Sequence, residues 1–326
     1  MPNRRQALMA VLAAPAALHL NGSAAQLAAW PRQPVKLVVT FPPGGASDIV
    51  ARLLAPVLSE EFGQPFTIDN RPGAGSTIGA AAVANSHADG YTLLMSNSAP
   101  LSISPYLLAK SPYDPVKSFK HIAYVGAVPT TFVVHPSVPA RSLAELVTWL
   151  KAQPNPVAFG SGGLASVGQI VGEQFAKLTG VKLLHVPYKG AGPMRTDLLG
   201  GQIQLAVDAL PQNLPLAHSG QLRLLAVTSP VRALQAPDVP SVVELGYPDL
   251  VAENYVGLSG PAALDDGIAG RLNAAVARAL ARADLRDKLT QQGFVVGGKS
   301  RAEFSAFVQA QARNWAPLVK ATGATL

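Results

Sequence analysis

The chain repeats one unit: a short apolar run, a turn of glycine and small polar residues, then a stretch with helical periodicity. Its first copy is residues 35–48, VKLVVTFPPGGASD. Val35, Leu37, Val38 and Val39 have the composition of a buried strand. Pro42, Pro43, Gly44 and Gly45 end it. Ser47 or Asp48 then stands where a helix cap is expected, ahead of Ile49, Leu53 and Val57 at helical spacing. In an open α/β sheet such a turn lies at the carboxyl end of a strand, where ligands bind. Free N–H groups at the helix start favour an anion. Alone, a turn of this kind is more often an ordinary βα connection whose glycines serve geometry only.

The recurrence changes that reading. Residues 66–68, FTI, run into DNRPGAGSTIG, and residues 91–95, YTLLM, end in Ser96-Asn97-Ser98. Further on, residues 157–159 run into GSGGLAS, where Ser166 is placed to cap a helix bearing Ile170, Val171 and Phe175. Residues 183–186 lead to PYKGAG, and residues 203–207 end at Asp208. Alternating strands and helices predict parallel sheets, and two sets of turns predict two α/β lobes facing each other across a ligand cleft. Apolar runs at 122–128 and 131–135 flank Pro129, and residues 229–248 are proline-rich and irregular. Ser142 with Glu145 and Ser300 with Glu303 form capping boxes, and Asp265 or Asp266 caps a helix through Ile268, Leu272 and Val276.

A length of 326 residues fits two domains or one large one. With 48 % hydrophobic and 14 % charged residues the chain has ample material for a core, and its composition argues against disorder. The net charge of +7 is scattered and aromatics are only 6 %, so nucleic-acid binding has no support. Cysteine is absent, which removes disulfides, thiol catalysis and thiolate metal sites together. Residues 1–25 read as an export signal, with Arg4 and Arg5, an apolar run over 7–20 and Ser23-Ala24-Ala25 before a cut. The mature protein is therefore expected outside the cytoplasm. The arginine pair fits either a twin-arginine or an ordinary secretory signal.

Reactive constellations are missing. The histidines are His19, His87, His121, His135, His185 and His218, and none has metal-ligand spacing with a carboxylate. There is no G-x-S-x-G elbow and no Walker sequence, and Gly73-Ala74-Gly75 with Gly79 departs from the dinucleotide spacing. Ser76, Ser161 and Ser166 lie on glycine-rich loops, but no base can be assigned to them. No cofactor and no metal are expected, and the loops read as hydrogen-bond donors to a ligand. Asp208 is open between accepting a hydrogen bond in the cleft and capping the segment with Leu210 and Leu214. Lys189 supplies cleft charge or is a solvated turn lysine, and Tyr188 is a cleft wall or packing.

These motifs together resemble the Bug family, the periplasmic solute-binding receptors associated with tripartite tricarboxylate transporters. The resemblance runs from Trp30-Pro31 and VKLVVTFPPGGASDIVARLL through IDNRPGAGSTIGAAAVA, ADGYTLLM, FGSGG, HVPYKGAGPMRTDLLGGQIQ and GQLRLLAVTS to GRLNAAVARAL. It implies an α/β, two-lobed fold like type II periplasmic binding proteins, with residues 31–128 and 252–326 in one lobe and 129–251 in the other. It implies no enzyme activity, but hinged closure over a small carboxylate held by backbone amides and ordered water, and delivery to membrane transporter subunits by a monomer. Carried over by motif, the ligand-binding residues are Phe41, Gly44, Gly45, Ala46, Ser47, Asp48, Ser76, Thr77, Ser96, Ser98, Ser161, Gly162, Ser166 and Asp208. The second-lobe loop departs from the family pattern: Ala165 replaces a glycine, and Gln169 stands where histidine is common. Two other readings stay open: a sensor that signals to a membrane partner, and an enzyme that brings a base and a nucleophile together in the same cleft.

Overall fold

The computed structural model describes residues 30–326, so the expected export segment lies outside the described residues. Strand β1 is Val35–Val39 and carries core on both faces. Its alternate residues Val35, Leu37 and Val39 pack against helix α1, Ala46–Phe62, through Val50, Leu54 and Leu58. Val38 faces the other way, onto Ala80 and Val83 of α2, Thr77–Ala84. Each of these valine and leucine side chains contributes about 1.5–3 kcal/mol on burial. β1 pairs in parallel with β2, Phe66–Asn70, and with β3, Thr92–Asn97.

The strands that join the lobes run the other way. β4, Phe119–Val134, is antiparallel to β9, Glu253–Pro261, which is itself antiparallel to β3. The expectation of wholly parallel sheets therefore holds only for the βα units. β4 and β9 carry the chain between lobes without a helical crossover, so nothing requires them to be parallel. The two apolar runs around Pro129 form one strand. Its ladder with β9 ends at the pair Pro129 and Glu253. From Thr130 it pairs instead with β7, Leu205–Ala209, and from Thr131 also with β8, Arg223–Val227. β7 continues in parallel to β5, Val157–Ser161, and β5 to β6, Leu183–Pro187.

Around the second set of strands lie α3, Leu143–Lys151, α4, Val167–Thr179, α5, Ala191–Leu199, and α6, Leu210–His218. Their core centres on Phe132, Phe159 and Phe175 with Leu143, Leu146 and Leu150. After β9 the chain returns to the first lobe as α7, Asp266–Ala281, and α8, Ala283–Gln291. β10, Val295–Val296, then adds to β4. The last helix, α9, Arg301–Thr322, touches both lobes. Phe304 and Val308 join the core around Tyr255, whereas Trp315 and Val319 join that of Phe132 and Phe175. The protein is thus a two-lobed α/β molecule whose cleft lies at the carboxyl ends of β1, β5 and β7. No described helix is long and apolar enough to cross a membrane.

Candidate functional site

The first glycine turn builds one wall of the cleft. Gly44 adopts φ 86°, which lets the chain reverse after Pro43 and start α1 at once. The N-cap is Gly45, with no side-chain cap, so Ser47 and Asp48 fall in the first turn of the helix rather than at its cap. Asp48 complements the positive helix end and holds the turn together. It accepts from the Gly44 N–H at 2.9 Å, from Arg52 Nε at 2.8 Å and from Asn70 Nδ2 at 3.0 Å. Burial alone would raise its carboxyl, but these donors outweigh that and hold it below the usual carboxylate range. Asn97, at the end of β3, donates to Ser47 Oγ at 3.0 Å and fixes that hydroxyl.

The opposing wall comes from the second lobe. Ser166 caps α4 by accepting from the Gln169 N–H at 3.2 Å, a contact worth about 1 kcal/mol. Gly190, at φ 101°, precedes α5, and Ala209 is the N-cap of α6. Between the walls lies a cavity of about 660 Å³, counting space open to solvent, lined by Gly45, Ala46 and Ser47, by Ser166, Val167 and Gly168, by Gly190 and Ala191, and by Asp208 and Ala209. The N-termini of α1, α4, α5 and α6 therefore converge on one space from both lobes. First-turn amides lack intrahelical acceptors, and the helix dipoles add positive potential. Asp208 is the one ionisable side chain among the described residues that line this cavity.

Register places Asp208: it pairs with Thr131 across β4 and β7. Its Oδ2 accepts from Asn213 Nδ2 at 3.1 Å, and α6 is capped by Ala209 without a side-chain bond, so Asp208 is not a helix cap. Burial pushes its carboxyl up, and the Ala209 amide, Asn213 and the charge of Arg195 only partly offset that. Gln212 bridges the lobes. With its amide oriented to satisfy both ends, Nε2 donates to the Ala209 carbonyl and Oε1 accepts from the Ala46 N–H, each at 3.1 Å.

Of the residues expected from sequence, Phe41, Gly45, Ala46, Ser47, Gly162, Ser166 and Asp208 line this cavity. Ser76 lies at the adjoining cleft mouth and donates to the Thr40 carbonyl. Gly44, Asp48, Thr77, Ser96, Ser98 and Ser161 stand outside the lining. Thr77 Oγ1 donates to the Ala74 carbonyl, Ser96 accepts from Ser259, and Ser98 Oγ donates to the Glu253 carbonyl. Ser161 is fully buried and lies 2.7 Å from His185 Nε2. Burial pushes that imidazole down to about 4, so the ring is neutral near pH 7. Among the described residues no carboxylate bonds the other ring nitrogen, so this pair orders the loop behind the cavity wall.

Thr130, Asn254, Gln212, Pro42 and the Gly190-Ala191 start of α5 also line the cavity and were not singled out as ligand residues. Gly190 carried a signal, a glycine just ahead of an apolar helical pattern. Thr130 and Asn254 carried none, because they enter the site only through the exchange of partners along β4.

Residues 50–324 match the family described as tripartite tricarboxylate transporter family receptor. The chain is 37 % identical to protein BugT of Bordetella pertussis over 298 residues, 91 % of each chain. Among solved structures, R. palustris Rpa4515 with adipate is 34 % identical at a TM-score of 0.87, covering 91 % of this chain and 100 % of that one. MatC from Rhodopseudomonas palustris with bound malate is 29 % identical at 0.84, covering 89 % and 100 %. The two-lobed fold, the helix starts that converge in its cleft and these matches together make the chain a member of the tripartite tricarboxylate transporter receptor family, a family of solute-binding receptors.

Proposed function

We propose that the protein captures a small carboxylate in the cleft as a monomer outside the cytoplasm and presents it to the membrane subunits of a tripartite transporter. The convergence of four helix N-termini on a cavity whose described lining has no cationic side chain carries this reading. Such a site neutralises an anion with backbone N–H groups, as suits a ligand that must bind and later leave. The cavity offers hydrogen bonds to a carboxylate and needs no bond-making chemistry. The relatives with adipate and malate support a carboxylate as the ligand class.

Closure is assigned to the strand exchange between lobes. β4 passes from β9 to β7 at Pro129 and Thr130, and Ala252 donates to the Thr228 carbonyl at 2.9 Å just before β9. On this reading residues 31–128 with 252–326, and residues 129–251, move as bodies about those crossings, and ligand shifts the open–closed equilibrium. The C-terminal helix, packed on both lobes, flexes or slides with that motion. Calorimetry and melting against mono- and dicarboxylates, amino acids and aromatic acids tests the function. Binding by at least one acid, with a rise in Tm by mass action, is expected. Silence across the panel ends the carboxylate reading.

A further inference from the structure

The anion cavity adjoins a second, more open recess of about 950 Å³, counting space open to solvent, and Phe41, Pro42, Gly162 and Gly190 line both. The lobes approach closely at this waist: a Cβ on Gly190 would stand 3.2 Å from Pro42 Cγ. They approach again on the far side, where a Cβ on Gly75 would stand 3.0 Å from Ala165 Cβ. The outer chamber lies between these two contacts. Its side walls are Phe41, Pro42, Pro72, Ala74, Leu164 and Pro187.

Its polar side chains are largely committed to protein partners. Ser76 Oγ donates to the Thr40 carbonyl at 3.3 Å, Thr40 Oγ1 accepts from Asn97 at 3.4 Å, and the Tyr188 hydroxyl donates to Asp197 Oδ2 at 2.7 Å. Lys189 lies on the exposed rim. Leu164 is 41 % exposed although it lines a concavity, which is where a leucine left for a ligand would stand. The inner cavity thus supplies amide donors, and the outer chamber offers apolar area with few free side-chain hydrogen bonds.

We propose that the outer chamber is a subsite for the apolar body of the solute, so that the receptor selects carboxylates bearing a phenyl ring or a medium alkyl chain over compact hydroxy- and diacids. The proposal rests on the reading of the inner cavity as the carboxylate seat. A compact polyhydroxylated or short diacid would leave the outer walls wet, and among the lining side chains its second polar end would find chiefly the exposed, hydrated Lys189 ammonium at the rim. An apolar body would release that water, and each additional 60 Å² or so it buries is worth about tenfold in affinity.

The test is calorimetric titration of the full mature chain with hexanoate, phenylacetate, succinate and malate. Hexanoate or phenylacetate is expected to bind at least about tenfold more tightly than succinate and malate. Leu164→Asn, a neutral polar change of similar size at an exposed position, is expected to weaken the favoured acid about tenfold or more and to weaken succinate far less, with the urea midpoint as the folding control. If succinate or malate binds as tightly as the apolar acids, or if Leu164→Asn leaves the favoured acid unchanged, the outer subsite is overturned while carboxylate capture stands. If none of the four binds and the wider acid panel is also silent, both readings fall.

Discussion

The side-chain oxygen of Gln212, on a helix of one lobe, accepts a hydrogen bond at 3.1 Å from the backbone N–H of Ala46, the first residue of a helix in the other. On the proposed reading that N–H is among the donors a bound carboxylate uses, which makes Gln212 its built-in competitor. Gln212→Ala is expected to increase carboxylate affinity about threefold to tenfold, because no amide must be displaced. Isothermal titration of the variant with the best-binding acid reads this directly. A loss of affinity would place Gln212 among the ligand's own partners.

Asp208 gives the site a pH dependence. Its carboxyl is raised by burial, so the folded protein binds more protons than the unfolded chain above the ordinary value of about 3.9. Stability from this group is present at low pH and lost as pH rises from there through the raised native value. Asp208→Asn keeps an acceptor for Asn213 and removes that loss. Urea unfolding is expected to show the variant gaining on the parent protein as pH rises above about 4. Where the ligand is ionised and Asp208 carries its charge, the variant is expected to bind the carboxylate several-fold more tightly than the parent, because the charged Asp208 repels the ligand.

Gly168 seats the first turn of α4 against β7. A Cβ there would stand 2.0 Å from the Val207 carbonyl oxygen, and backbone offers no soft atom to yield. Gly168→Ala is expected to destabilise by about 3 kcal/mol, at the upper end for overpacking, and to abolish carboxylate binding because it moves the helix start away from the cavity. The urea midpoint and a titration on the folded fraction separate the two effects.

Thr228 ties together the crossings between lobes. Its Oγ1 accepts from the Thr130 N–H at 2.9 Å and contacts the carbonyl oxygens of Thr130 and Ala252. Thr228→Val keeps the shape and strands the buried Thr130 amide. A loss of about 1–3 kcal/mol is expected, with slower or incomplete closure in stopped-flow fluorescence on mixing with ligand.

The sequence was most legible where a local rule decides. β1, its glycine turn and α1 follow from a β-branched run, two prolines, two glycines and a 3.6-residue pattern, all within 30 or so positions. The Ser142 and Ser300 caps were read from spacing alone, and both bonds form. α8 was not read: it follows α7 directly at Arg282, with no side-chain cap to mark its start. Pro129 read as a break between two strands, yet it ends a ladder, where a missing N–H costs least.

The site divides in the same way. Ser166 and Gly162 were recognisable because a helix cap or a glycine turn announces itself in the chain, whereas Ala46 came only from the family resemblance. Ser96 and Ser98 looked like rim residues for the same local reason, but their hydroxyls bond to Ser259 and to the Glu253 carbonyl in the neighbouring strand β9. Which hydroxyls face a ligand depends on the partner strand, which spacing does not encode.

Sequence by itself therefore determined most of the strands, the glycine turns, the Ser142, Ser166 and Ser300 helix caps and the absence of thiol chemistry, since each rests on residues within one or two turns of chain. Tertiary structure alone decided that four helix starts share one cavity, that Asp208 is buried in it, and that Gln212 reaches Ala46. Those outcomes depend on the exchange of partners along β4, a register set by packing between residues as far apart in sequence as Phe119 and Pro261. No local pattern carries that distance, because the free energy that selects it comes from burying both lobes' cores at once.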